Sequence, residues 1–329
     1  MRGAASVFAA LTIALGHAAC GTSPPLPPDA NDPAYTVTAR TWLMAGDGLT
    51  PRDATLDVLV AAPANVKSVD AWLDGAMTPV ALAVQPDGRF GVSLPAPPIG
   101  DHTLLLASDG NQMAFATHPF HVSGALYAVV SADWDNSDNL DAYLMNVEAM
   151  RKAHPHLVIS QFFAPYVFTD PATTQARKDR NVSWMKTQHD LFGDEIGVHV
   201  HPYCNFISTV ILDGKNLDCH VMPSTNLQGP LPAPNSTVLE VPDNGCLVDY
   251  MSAPQMQAVL AANWDGASAL ATPRVFQIGF HPPDFSGFLL LRMQQTLDTV
   301  AKGLYLSDGG PIVHANLSDL VKVKGWPEK

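Results

Sequence analysis

The sequence predicts an α/β domain over residues 124–329, a parallel sheet or distorted (β/α) barrel, preceded by a small all-β sandwich over residues 34–123. Three observations predict this. Short strands separated by Asp-Gly turns fill the first unit. The second unit opens on a continuous apolar strand, and strands then alternate with helices. A length of 329 residues accommodates two cores of ordinary size, and 47% hydrophobic with 15% charged residues is globular material rather than disorder.

Residues 1–20 read as a targeting segment. Arg2 supplies a minimal positive start, and residues 4–15 form an apolar run too short for a permanent membrane span. Small residues then lead to Cys20 in Gly16-His17-Ala18-Ala19-Cys20. This run resembles a bacterial lipoprotein signal, in which Cys20 would be lipidated, although His17 stands where such signals usually carry Leu. A signal-peptidase cut near Ala18 or Ala19 is the competing reading. Either way export is expected, to the cell envelope, the periplasm or the medium. The Pro-rich residues 21–33 read as an extended linker.

The formal net charge of −13 opposes binding to nucleic acid and to anionic lipid, so membrane association is expected only through an anchor at Cys20. After export, one disulfide is expected among Cys204, Cys219 and Cys246, with the pairing left open.

In the first unit, strand patterns cover residues 56–60, 69–73, 90–94, 103–107 and 115–122, about seven strands in all. Asp74-Gly75, Asp87-Gly88 and Asp109-Gly110 mark tight turns that need positive φ. Trp42 and Trp72 could contact sugar but are expected in the core. The stretches VDAWLDG, DGRFGVSL and GDHTLLL resemble immunoglobulin-like modules of bacterial surface proteins, which serve as spacers or as carbohydrate platforms.

In the second unit, residues 125–132 form the buried strand. A helix follows, with Leu140, Tyr143, Leu144, Val147 and Met150 on one face and Arg151 and Lys152 in its last turn. Residues 157–163 are the next strand, 173–191 a helix and 195–201 a third strand. Ser286 can cap a helix carrying Leu290, Met293, Leu297 and Val300. Residues 205–253, rich in Pro, Gly and Asn, read as an irregular insertion over the site.

Polar groups sit where three apolar strands end. Asp133 and Asp135 follow the first strand two residues apart, so they share a face. His199 and His201 do the same on the third strand, the way a strand presents two imidazoles to one ion. His281 ends the run Ile278-Gly279-Phe280 before a Pro pair. Taken singly, the carboxylates read as loop groups and His281 as a buried histidine. Together they are what a metal hydrolase requires at the C-terminal edge of a parallel sheet. Carboxylate and imidazole suit a divalent transition ion, Zn²⁺ by default and Co²⁺, Ni²⁺, Mn²⁺ or Fe²⁺ as alternatives. Such an ion acidifies bound water and polarises a carbonyl, while a carboxylate accepts a proton and a histidine protonates a leaving amine.

These residues resemble the motifs of the polysaccharide-deacetylase superfamily, the NodB homology domain. VVSADWD resembles its first motif, DEIGVHVHP its second and FHPPDFSG with RMQQTLDTV its last, so the resemblance spans residues 126–320. It implies a distorted barrel that removes N-acetyl groups from a polysaccharide. Asp133 would be the base, Asp135 and His199 metal ligands, and His281 the acid. This chain diverges at three points, one being that the family's Arg- and Pro-containing middle motifs have no clear counterpart here. Trp134 separates two aspartates that are usually adjacent, so the roles of Asp133 and Asp135 could be exchanged. The usual second histidine position is Tyr203 here, which gives the third ligand to His201 on strand geometry. Two rival readings stand beside this one. One is a non-catalytic carbohydrate-binding or envelope-assembly protein on the same fold, and the other a deacylase of a non-sugar amide. A closed pocket under residues 205–253 would favour a small substrate, and an open groove a polymer.

Overall fold

In the computed structural model, residues 23–135, 141–199, 231–232, 239–241, 244–283 and 285–326 are described. The chain is a mixed α/β protein with several sheets. Residues 36–123 form nine strands: β1 (Thr36–Thr38), β2 (Trp42–Met44), β3 (Thr55–Ala61), β4 (Val69–Leu73), β5 (Val80–Ala81), β6 (Ala83–Val84), β7 (Phe90–Pro95), β8 (Gly100–Ser108) and β9 (Ala116–Ser123). They pair as two sheets, β1-β3-β7-β6 and β2-β9-β8-β4-β5. Alternation on β3 turns Leu56, Val58 and Val60 inward, where they meet Leu104, Leu106, Phe120 and Val122 of the second sheet. Asp74, Gly75, Asp109 and Gly110 all have positive φ, as the Asp-Gly turns require. Trp42 and Trp72 are both buried, as expected of core residues.

The segment read as a linker is extended but held. Leu26 bridges Met113, and the Asn31 side chain bonds the backbone of Thr117 through both its oxygen and its nitrogen.

The second unit is built on β10 (Leu126–Trp134), β11 (Ser160–Phe163), β12 (Glu195–Val198), β15 (Arg274–Phe280) and β16 (Ile312–His314). The intervening β13 (Leu231–Pro232) and β14 (Leu239–Glu240) form a separate two-stranded ladder. The five strands are parallel, in the order β12-β11-β10-β15, with β16 on β10 beside Leu126–Ala128. β11 takes the same edge of β10 further along, at Ser131–Trp134. Among the described residues this sheet is half of a barrel.

Helices α1 (Asp141–Ala153), α2 (Tyr166–Thr169), α3 (Gln175–Phe192), α4 (Ala253–Asn263) and α5 (Gly287–Lys302) complete the unit. The even-numbered β10 residues from Leu126 to Trp134 pack in one cluster with Val147 and Met150 of α1, Trp184 of α3, Met256 of α4 and Met293 and Leu297 of α5. Each fully buried aliphatic side chain there contributes about 1.5–3 kcal/mol. The odd-numbered residues face the other way. Tyr127 and Val129 meet Val275, Ala315 and Leu320 on the face opposite the α-helices.

The α1 stripe is as expected at Leu144, Val147 and Met150, while Leu140 lies outside the described residues. Arg151 and Lys152 stand in the last turn of α1, as expected, and Arg151 is 3% exposed because Asp194 pairs with it inside the fold. Ser286 stands at the N-cap of α5 without a side-chain capping bond. No described helix is long and apolar enough to cross a membrane. Cys20, Cys204 and Cys219 lie outside the described residues, and Cys246 is buried.

The two units meet across a bonded joint. The Asp308 carboxylate accepts the backbone N–H of Thr41 at 2.8 Å and of Trp42 at 2.9 Å. The Tyr305 hydroxyl donates to Asp53 at 2.6 Å, and the Tyr127 hydroxyl donates to Asp47 at 2.7 Å. This joint sits at the start of β10, the end away from Asp135.

Candidate active site at the strand ends

Parallel pairing delivers the predicted residues to one edge. Trp134 is level with Phe163 of β11, and Phe163 with Val198 of β12, so Asp135 and His199 leave the sheet at the same level, on either side of β11. Ala132 is level with Phe280 of β15, which brings His281 to the opposite side of Asp135. Strand alternation then sets direction. Trp134 and Phe280 point into the core under the α-helices, so Asp133, Asp135 and His281 point to the opposite face. His199 follows by the same parity, since Ile196 packs toward the helices.

Glycine makes two of these approaches feasible. A Cβ at Gly197 would stand 2.6 Å from the Phe162 ring, so a side chain there would push β12 off β11. A Cβ at Gly279 would stand 2.6 Å from Leu247 and 2.8 Å from the Ser131 hydroxyl.

The four side chains meet around the Asp135 carboxylate. Its Oδ1 is 2.8 Å from His199 Nε2, and its Oδ2 is 3.6 Å from His281 Nε2. Asp133 Oδ1 lies 3.6 Å from the other ring nitrogen of His199. The cluster is open to solvent on one side: the Asp135 side chain is 33% exposed and that of His199 16%. Tyr166, at the start of α2, is close enough for the Asp135 charge to raise its hydroxyl pKa, after burial as the larger cause.

One residue of this cluster escaped the sequence reading. Asp249 Oδ2 stands 2.9 Å from His281 Nδ1. It is carried there by residues 246–248, which pair with β15 at Gly279: Gly279 N–H donates to Cys246 O and Val248 N–H to Gly279 O, both at 3.0 Å. The Arg292 guanidinium holds the same segment by donating to Val248 O at 2.8 Å. The available signal was the short apolar pair Leu247-Val248 ending in an acid, the pattern of β10 in miniature. The Asp249 contact is the first cause of a raised His281 pKa. Burial opposes it, and the charges of Asp135 and Asp133 add to it.

Whether these residues suit a divalent ion can be judged from their atoms. Two donors each 2.0–2.2 Å from a tetrahedral ion stand about 3.4 Å apart. The expected ligands Asp135 and His199 stand instead at 2.8 Å, a direct hydrogen bond, while the 3.6 Å separations join Asp133 to His199 and His281 to Asp135. The carboxylate of Asp135 and the imidazole of His199 suit such an ion by donor chemistry, but among the described residues no group of three donors forms a ready cage. His201, the expected third ligand, lies outside the described residues, as does most of the insertion expected to roof the site. An open cleft of about 680 Å³ between residues 45–52 and Lys324–Gly325 shares no residue with this cluster. No protein-family model matches the chain, and no curated protein matches it significantly.

Proposed function

We propose that the protein is a metal-dependent amide hydrolase acting at these strand ends, and that it removes N-acetyl groups from a polysaccharide. The observation that carries this reading is the meeting of His199, His281 and Asp133 around the Asp135 carboxylate. Amide hydrolysis needs an activated water, a polarised carbonyl, a base and an acid for the leaving amine. Asp135 and His199, with His201 as the expected third donor, would hold the ion. That ion, Zn²⁺ by default, would supply Lewis acidity.

The remaining chemistry belongs to the chain itself. Asp135 sits at the centre of the cluster, which suits a ligand. Asp133 sits at its margin with its carboxylate 21% exposed, which suits a base that takes a proton from water. Asp249 accepts from Nδ1 of His281 and favours the charged ring, so Nε2 faces the centre carrying a proton to donate. The sugar substrate rests on the motif resemblance to polysaccharide deacetylases, and the reaction class rests on the residues as well. Export, with or without a lipid at Cys20, belongs to the same proposal.

The test is acetate release from N-acetylated glycans by the full chain, compared with Asp133→Asn and His281→Ala. General acid–base groups contribute about 10²- to 10⁴-fold, so each variant should fall by at least about 100-fold. Variants as active as wild type would remove these residues from the chemistry, and wild type that releases no acetate above background would leave a non-catalytic carbohydrate-binding protein in its place.

A further inference from the structure

Trp134 interrupts the expected pair of aspartates, and its surroundings give that interruption a purpose. The residue is fully buried, lies flat on Phe163 at 5.1 Å between ring centroids and meets the edge of Trp184 at 5.3 Å. Its one polar atom, Nε1, donates to Gln161 Oε1 at 2.8 Å. The Gln161 amide, equally buried on β11, donates to Asp194 Oδ2 at 2.9 Å. Asp194 takes two contacts from Arg151 Nη2, at 2.6 and 2.8 Å, and the Ile159 N–H at 2.9 Å. Arg151 completes the web by donating to Leu157 O at 2.6 Å and lying over the Phe192 ring.

The web touches both strands that carry the central contact of the site. Asp194 immediately precedes β12, His199 immediately follows it, and Trp134 is the residue between Asp133 and Asp135. A peptide flanked on both sides by site residues is thereby anchored through its middle side chain, on the opposite face of the sheet. Gln161 can satisfy both neighbours only in one amide orientation, with oxygen toward Trp134 and nitrogen toward Asp194, so the link is directional.

The geometry points to Trp134 and Gln161 as positioning residues, which, braced by the buried Arg151–Asp194 pair, fix the separation of Asp135 from His199. The inference rests on the metal-site reading for its consequence but on the described contacts for its substance. Buried partners that orient ligands typically affect metal affinity by about 10- to 100-fold when removed.

The experiment uses the full chain, with Trp134→Phe as the principal variant because it keeps the ring stack and removes only the N–H. Gln161→Met and the double variant complete a cycle, and Asp135→Asn serves as the control for the ion. Thermal melts record folding, Co²⁺ titration calorimetry records affinity, and crystal structures record the distance from Asp135 to His199. Positioning predicts that Trp134→Phe remains folded, shifts the separation of Asp135 from His199 away from its 2.8 Å value and weakens Co²⁺ binding about tenfold or more. It also predicts that the double variant is no weaker than Gln161→Met alone, since Trp134→Phe removes only a bond that Gln161→Met has already cut. A merely structural role would lower the melting temperature and leave affinity and separation unchanged, which overturns the inference. Should wild type and Asp135→Asn bind Co²⁺ equally, the metal reading fails separately. The Trp134→Phe separation then decides, and an unchanged contact overturns positioning.

Discussion

Asp249 Oδ2 and His281 Nδ1 stand 2.9 Å apart, and this contact fixes which nitrogen of His281 faces Asp135. The ring is held between two carboxylates, with its charged form favoured. As a general acid it must be protonated, so activity should be retained below its raised pKa and lost as pH rises through it. Asp249→Asn removes the charge that favours the imidazolium. The alkaline limb of the pH–rate profile should therefore move to lower pH, and an NMR titration of the His281 ring should move in the same direction. An unmoved limb would show that Asp249 does not tune the acid.

Arg151 and Asp194 are 3% and 0% exposed, and burial pushes the Asp194 carboxyl up even with the guanidinium beside it. Removing one partner of such a pair leaves the other charge stranded. Arg151→Met should cost about 3–5 kcal/mol in denaturant unfolding. Adding Asp194→Asn should recover much of that loss, because the stranded charge disappears.

Acid should destabilise the chain through His314. Burial, with His154 and His156 nearby, pulls its pKa down to about 4. In the unfolded chain a histidine titrates near 6.5, so the unfolded state gains the proton first as pH falls. Stability is then full above about pH 6.5 and declines as pH falls toward 4, by up to about 3 kcal/mol from this group. His154 is shifted in the same direction by burial. Melting temperatures measured from pH 7 to pH 4.5 should fall less steeply for His314→Asn than for wild type.

At the joint between the units, Asp308 accepts two backbone N–H groups and pairs with Arg40. Bonds to a charged acceptor are worth about 1.5–3 kcal/mol each, so Asp308→Ala should lower the melting temperature by several degrees. Acetate release below that temperature should be unchanged, because the joint lies at the far end of β10 from Asp135. A parallel loss of activity would mean that the sandwich reaches the site after all.

The strand ends were legible because a parallel sheet writes itself as apolar runs, and an acid or histidine directly after such a run is conspicuous. Alternation then fixed the side on which Asp133, Asp135, His199 and His281 emerge, and the structure brings them together. Asp249 was hidden because its partner strand is only residues 246–248. That segment is held by pairing at Gly279 rather than by a periodic pattern of its own. The place of Arg151 in the last turn of its helix was legible, but its partner was not: only the fold shows that Asp194, 43 residues away in sequence, meets it in the core. Half of the barrel was visible as β-α-β order, while the edge of β10 shared by β11 and β16 depends on contacts between distant segments.

The most direct test of the central claim is metal content per chain in protein purified without chelator, measured for wild type, Asp135→Asn and His199→Ala. The account predicts close to one divalent ion per wild-type chain and loss of most of it in both variants. Wild-type protein without stoichiometric metal, or variants that retain as much as wild type, would contradict it.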